Sequence, residues 1–169
     1  VDALKGIEYE IIPDRVEAGT FMIAAAATRG AVRLENARLD HLRAAVDKLK
    51  EIGVEIETGG GATHVKADRM PLSTDVVTLP YPGLPTDLQA QFMALLAVAD
   101  GISVITEKIF PDRFMHVAEL NRMGASIRKE GASAVVNGVK ELSGAPVMAS
   151  DLRASAALVI AGLAARGLT

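Results

Sequence analysis

The sequence predicts an α/β fold made of repeated units, each a strand, a helix, a second strand, a second helix and a hairpin. Two long segments share the same order of apolar residues and glycines, and the apolar spacing within each changes from helical to alternating. These units span 7–68 and 75–140, and a truncated third unit spans 142–169. Together they predict a single partial domain over residues 1–169, with helices packed against sheets.

The first helix of each unit is predicted from a stretch that runs from a large apolar residue to a glycine. The three stretches are 21–30, 92–101 and 158–167, and the closing glycine suits the left-handed conformation that ends a helix. Alternating residues after the glycine predict a half-buried strand. The third unit stops at Thr169, where this strand is expected to begin. We therefore expect a fragment of a longer protein.

The second helix of each complete unit is amphipathic and also ends at a glycine. These glycines are Gly53 and Gly124, each 23 residues after the first glycine of its unit. A hairpin follows, "GVEIETGGGATHVKA" in one unit and "GASIRKEGASAVVNG" in the other. The register of the repeat is thus kept across two complete units.

Composition excludes several classes of protein. The 169 residues are 50% hydrophobic and 23% charged, which is typical of one globular domain. A net charge of -3 and 4% aromatic residues argue against nucleic-acid binding. The apolar run 156–165 is too short to span a membrane, no signal-peptide pattern begins the chain, and cysteine is absent. We expect a cytoplasmic protein without a metal or cofactor, since His41, His64 and His116 are isolated.

Acidic residues at the predicted helix starts are the candidate functional groups. In "PTDLQAQF" we expect Thr86 to be the N-cap and Gln89 to complete a capping box, which makes Asp87 a second acid just inside the cap. In "ASDLRAS" we expect Ser150 to be the cap, with Asp151 inside it. At the first helix, "PDRVEAG", we expect Asp14 to be the cap.

A cation at the start of a helix is unfavourable without an anionic partner, and Arg153 occupies such a position. Its partner is either Asp151 or another carboxylate, or it is an anionic ligand whose phosphate or carboxylate fits a guanidinium fork. The residue alone leaves both alternatives open.

Four long motifs in order resemble the UDP-N-acetylglucosamine 1-carboxyvinyltransferases, a family of enolpyruvyl transferases in peptidoglycan synthesis. They are "PDRVEAGTFMIAAAATRG", "YPGLPTDLQAQFMALL", "FPDRFMHVAELNRMGA" and "LSGAPVMASDLRASAALVIAGLAARG". The resemblance implies an inside-out α/β barrel fold, with six units in two domains and substrates in the cleft between them. It implies transfer of the enolpyruvyl group of phosphoenolpyruvate to the 3'-hydroxyl of UDP-N-acetylglucosamine, with phosphate released.

The resemblance also implies roles for particular residues. Asp87 is expected to be the general base and Asp151 to support proton transfer or positioning, so both are expected catalytic residues, while Arg153 binds phosphoenolpyruvate. Ile109 and Phe110 are expected beside the UDP-sugar.

Arg113 is expected in the cleft wall as part of the same substrate-binding set. Pro111 and Asp112 stand where the family commonly has Glu-Asn, which is a departure beside this segment.

Half of the implied active site lies outside this sequence. The family's active-site Lys, an Arg-bearing region and a mobile loop with a Cys belong to the other domain, and another Arg would follow Thr169. We therefore expect the isolated chain to be inactive and the full-length enzyme to work as one chain. Two alternatives are a shikimate-pathway enolpyruvyl transferase and a noncatalytic binding or structural domain of this fold.

Overall fold

The computed structural model describes residues 5–169. Five α-helices are described in this range: α1 Arg15–Ala27, α2 Arg43–Glu51, α3 Gln89–Leu96, α4 His116–Arg122 and α5 Leu152–Ala164. The strands in the same range are β1 Ala31–Glu35, β2 Glu55–Gly59, β3 Ala62–Lys66, β4 Val76–Val77, β5 Ile102–Thr106, β6 Ser126–Glu130, β7 Ser133–Asn137, β8 Leu142–Ser143 and β9 Ala165–Arg166. The predicted α/β class is confirmed.

Two antiparallel three-stranded arrangements share one register. Strand β3 lies between β1 and β2, and β7 lies between β5 and β6. Ala31 pairs with Lys66 in the first, and Ile102 pairs with Asn137 in the second. Both partners are shifted by 71 residues (31 to 102, and 66 to 137), so the two sheets match residue by residue.

Three helices form the centre of the molecule. Helix α3 is buried on every side, and α1 and α5 each pack against it and against each other. The sheets cover this group from outside, since alternate residues of β1 are exposed and β2 and β6 are mostly exposed. The helices therefore lie inside the sheets, as predicted, and the sheets of residues 5–169 remain open and close no barrel.

One predicted strand is missing within the described residues. We expected a strand before α1, but residues 5–14 belong to no strand, and Ile7 is 82% exposed. In the next unit the corresponding strand, β4, pairs in parallel with β5. Residues 5–14 have no such ladder partner in the described chain, and unburied alternating side chains do not stabilise a strand.

The expected glycine conformations are correct at the second helices and wrong at one first helix. Gly53 and Gly124 have φ of 99° and 90°, values that residues with a Cβ rarely adopt. Gly30 was expected to be left-handed, but Arg29 takes that conformation with φ of 52°. Helix α1 therefore ends one residue earlier than its glycine indicates.

Candidate functional site

Two arginines converge on one oxygen of Asp87. Arg153 Nε lies 3.1 Å from Asp87 Oδ1, and Arg113 Nη1 lies 3.2 Å from the same atom. The exposed fraction of the side chain is 37% for Asp87, 21% for Arg113 and 27% for Arg153. The site is a charged group at the surface with its members partly withdrawn from water.

Three chain segments bring these side chains together. Asp87 lies in a 3₁₀ turn, Thr86–Leu88, immediately before α3. Arg153 lies in the first turn of α5, which packs along α3. Arg113 comes from the loop between β5 and α4. The start of α3, the start of α5 and this loop thus share one edge of the molecule.

The expected capping box at α3 is wrong. Helix α3 begins at Gln89, and neither it nor the preceding turn has a side-chain cap. Thr86 Oγ1 instead donates a hydrogen bond to Glu107 Oε2 at 2.8 Å. The side chain of Gln89 is buried and its amide has no partner among the described residues. Tertiary contacts override the local capping pattern here.

Asp151, and not Ser150, is the N-cap of α5. Its Oδ1 accepts hydrogen bonds from the amides of Arg153 and Ala154, both at 3.0 Å. These backbone hydrogen bonds lower the pKa of Asp151 below its usual value. Asp14 caps α1 in the same way, as predicted, accepting from the amide of Val16 at 2.7 Å.

A cavity of about 450 Å³ lies beside the ionic group. Its lining includes Asp151, Arg113, Phe110 and the Pro111-Asp112 pair, together with Met115. Phe110 is 56% exposed, and the Arg113 guanidinium lies 5.5 Å from the centre of its ring. The cavity thus joins an aromatic wall to charged groups of both signs.

Ile109 contributes to this region through its backbone. Its side chain is half-buried, and its amide donates to Glu107 Oε1 at 2.8 Å. Five of the predicted site residues, Asp87, Arg113, Arg153, Asp151 and Phe110, therefore meet at the ionic group or its cavity, while Ile109 lies at the base of the loop that carries Phe110.

The sequence reasoning missed Glu107. This carboxylate follows β5 and is 0% exposed. It accepts hydrogen bonds from the hydroxyls of Thr78 and Thr86 and from the amides of Ile109 and Phe110. An acidic residue directly after a half-buried strand was the available signal.

His116 is the second residue that sequence reasoning placed incompletely. It is 1% exposed, and its Nε2 has no hydrogen-bond partner among the described residues. Burial lowers its pKa to about 4, which the nearby Asp151 partly opposes and Arg113 reinforces. His116 is therefore neutral near pH 7, and its ring stacks on that of Phe114 with 6.3 Å between the centroids.

Neither a metal-binding cluster nor a membrane-spanning helix is found in the described part of the chain. Residues 5–169 contain no cluster of three His, Asp or Glu side chains arranged to hold a metal ion. None of the helices in that range is both long and apolar enough to cross a membrane.

Comparison with known sequences gives a match over the whole chain. The family described as EPSP synthase (3-phosphoshikimate 1-carboxyvinyltransferase) matches residues 1–169. A UDP-N-acetylglucosamine 1-carboxyvinyltransferase of Geobacter metallireducens is 57% identical over 100% of this chain and 40% of its own length. Another, from Caldanaerobacter subterraneus subsp. tengcongensis, is 56% identical over 100% of this chain and 41% of its own. The chain thus spans about 40% of the length of these relatives.

Solved structures share the fold at low sequence identity. The enolpyruvyl transferase NikO from Streptomyces tendae has a TM-score of 0.75 and 23% identity, over 92% of this chain and 37% of that one. An EPSP synthase from Acinetobacter baumannii has a TM-score of 0.69 and 19% identity, over 94% of this chain and 39% of that one.

Proposed function

The chain belongs to the EPSP synthase family of 1-carboxyvinyltransferases, and on that basis we propose that it is part of a UDP-N-acetylglucosamine enolpyruvyl transferase. The full-length protein would move the enolpyruvyl group of phosphoenolpyruvate to the 3'-hydroxyl of UDP-N-acetylglucosamine and release phosphate. Residues 1–169 would form most of one domain, whose repeat units are 7–68, 75–140 and 142–169. The named relatives at 55–57% identity support this choice of acceptor.

The observation that carries the proposal is the shared oxygen of Asp87, held by Arg113 and Arg153 beside the cavity. A sugar hydroxyl must lose its proton as it attacks C2 of the enolpyruvate, so a carboxylate is needed within hydrogen-bond reach. The same reaction needs cations for the phosphate and carboxylate of phosphoenolpyruvate. One carboxylate and two guanidinium groups meet both needs.

Asp87 suits the role of general base better than Asp151 does. The capping oxygen of Asp151 already accepts two backbone amides, and these lower its pKa. Asp87 caps no helix, and its contacts are to side chains that a ligand can recruit. We assign Asp87 as the base and Asp151 as the residue that fixes the first turn of α5.

The arginines have a second use in this proposal. Arg153 and Arg113 each lie within reach of Asp87, so two cations share one carboxylate. An incoming phosphoenolpyruvate supplies the remaining negative charge. Arg153 would bind it directly, and Arg113 would complete the wall between it and the UDP-sugar, which lies against Phe110 and the Ile109 backbone.

The proposed enzyme would act in the cytoplasm at the first committed step of peptidoglycan synthesis, and so in cell-wall biogenesis, cell shape and division. It would need no cofactor or metal, because proton transfer and charge stabilisation account for the chemistry.

The test is phosphate release by the full-length protein with phosphoenolpyruvate and one acceptor at a time. UDP-N-acetylglucosamine should support turnover, and 3-phosphoshikimate should not. The reverse result would identify the shikimate-pathway reaction, and no turnover with either acceptor would favour a noncatalytic domain. The isolated chain of 169 residues should release no phosphate above the rate without protein, because positioning needs groups from both sides of a cleft.

A further inference from the structure

The Glu107 carboxylate accepts four hydrogen bonds, whereas the capping oxygens of Asp14 and Asp151 accept two each. Its Oε1 accepts from Thr78 Oγ1 at 2.6 Å, from the Ile109 amide at 2.8 Å and from the Phe110 amide at 3.1 Å. Its Oε2 accepts from Thr86 Oγ1 at 2.8 Å. No cation of residues 5–169 forms a salt bridge with it, so neutral donors alone satisfy this buried carboxylate.

Three of the four donors belong to two segments of the candidate site, and the fourth, Thr78, directly follows β4. Ile109 and Phe110 begin the loop that carries Arg113, whereas Thr86 directly precedes Asp87. Thr86 Oγ1 donates to Glu107, and its lone pairs face Arg113 Nη1 at 3.4 Å. Glu107 therefore links the loop that bears Phe110 to the turn that bears Asp87.

The fold itself does not require a carboxylate at this position. By the shift of 71 residues, Asn36 is the residue of the first unit that is equivalent to Glu107. Asn36 is exposed, and its amide donates to the carbonyl of Gly61, as the amide of Glu107 does to that of Ala132. The same backbone hydrogen bond thus follows the strand in both units, although Asn36 is left-handed with φ of 57° and Glu107 is not, and only the second unit has a buried carboxylate here.

We propose that Glu107 is a positioning residue that sets the distance between the sugar-nucleotide wall at Ile109 and Phe110 and the base at Asp87. This inference rests on the proposed function. Glu107 touches no substrate and acts through the two backbone amides and the Thr86 hydroxyl. Because Ile109 and Phe110 contact the sugar nucleotide in the proposed function, Glu107 governs affinity for that substrate more than affinity for phosphoenolpyruvate.

The test replaces Glu107 in the full-length protein by the nearly isosteric glutamine, Glu107→Gln. An amide nitrogen cannot accept a hydrogen bond, so at least one of the four is lost or, at the Thr86 hydroxyl, reversed in direction. The KM for UDP-N-acetylglucosamine should rise about tenfold or more, and the KM for phosphoenolpyruvate should change less than about threefold. Amide hydrogen exchange in residues 108–113 should become faster under conditions where the protein stays folded.

Glu51→Gln is the matched control. Glu51 also accepts a threonine hydroxyl, from Thr74, and it lies at the end of α2 outside the site. It should leave both KM values and the exchange of residues 108–113 unchanged.

Unchanged exchange at residues 108–113 in Glu107→Gln would overturn the positioning role, whatever the activity. Faster exchange with equal rises in both KM values would also overturn it, because a general loss of structure affects both substrates. If the wild-type protein has no turnover, the proposed function fails, and with it the effect on substrate affinity; the exchange result then decides the structural link alone.

Discussion

Replacing Asp87 by asparagine in the full-length protein should separate catalysis from stability. The substitution keeps the size of the side chain and removes the charge that Arg113 and Arg153 share. Asparagine Oδ1 still accepts a hydrogen bond, but it cannot take a proton from a hydroxyl. Folding should therefore be nearly intact while turnover is lost.

The expected magnitudes differ by a wide margin. Both ion pairs are partly exposed, at 3.2 Å and 3.1 Å, and such pairs contribute about 0.2–1 kcal/mol each. The free energy of unfolding should fall by less than about 2 kcal/mol, with a change in Tm of a few degrees. Loss of a general base typically lowers kcat by about 100- to 10,000-fold.

The assay combines thermal unfolding with phosphate release, for Asp87→Asn and for a control, Asp40→Asn. Asp40 also lies in a 3₁₀ turn, Leu39–His41, and pairs with Arg38 at 2.8 Å, but it belongs to the first unit. The control should keep its turnover. If Asp87→Asn retains turnover within about tenfold of wild type while folded, Asp87 is only a partner of the arginines and the base lies elsewhere.

Two further predictions concern stability. Asp151→Ala should lower the free energy of unfolding by about 1 kcal/mol, whereas Asp151→Asn, which keeps a capping oxygen, should not; thermal unfolding of both variants checks this. Burial lowers the pKa of His116 to about 4 from 6.5, so the unfolded chain binds a proton in this range that the folded chain does not. Stability should therefore fall as pH falls from 6.5 to 4, and urea unfolding should find this dependence reduced in His116→Leu but kept in a control at exposed His64, His64→Leu.

Sequence periodicity predicted most of the helices and strands, because side-chain spacing and helix ends depend on residues that are neighbours in the chain. The repeat predicted both hairpins and the left-handed Gly53 and Gly124, whose conformations depend on neighbouring residues. It did not reveal the partners of Thr86, since a hydroxyl caps a helix or bonds a distant carboxylate with similar energy. Only the folded chain shows that Glu107, 21 residues away, provides the acceptor.

The repeat distinguishes Asp151 from Ser150 as the N-cap of α5, whereas the residue types alone do not. Both side chains are good N-caps. Asp14 and Asp151 each lie seven residues before the large apolar residue of their helix, at Phe21 and Leu158. Counting in this register assigns Asp151 as the cap, as the structure confirms.

The same register explains how the candidate site arises from a repeated fold. In the second unit the capping position is held by Pro85, seven residues before Phe92, and proline has no side-chain acceptor. The chain there forms a 3₁₀ turn, and Asp87 is left without a capping role. Asp87 and Arg153 occupy equivalent places, because each lies two residues after the capping position of its unit. Because α3 and α5 pack together, these equivalent places meet, and their opposite charges pair at 3.1 Å. Different side chains at two repeated positions, the cap and the second residue after it, together with the 3₁₀ turn, thus convert a structural helix start into a charged site.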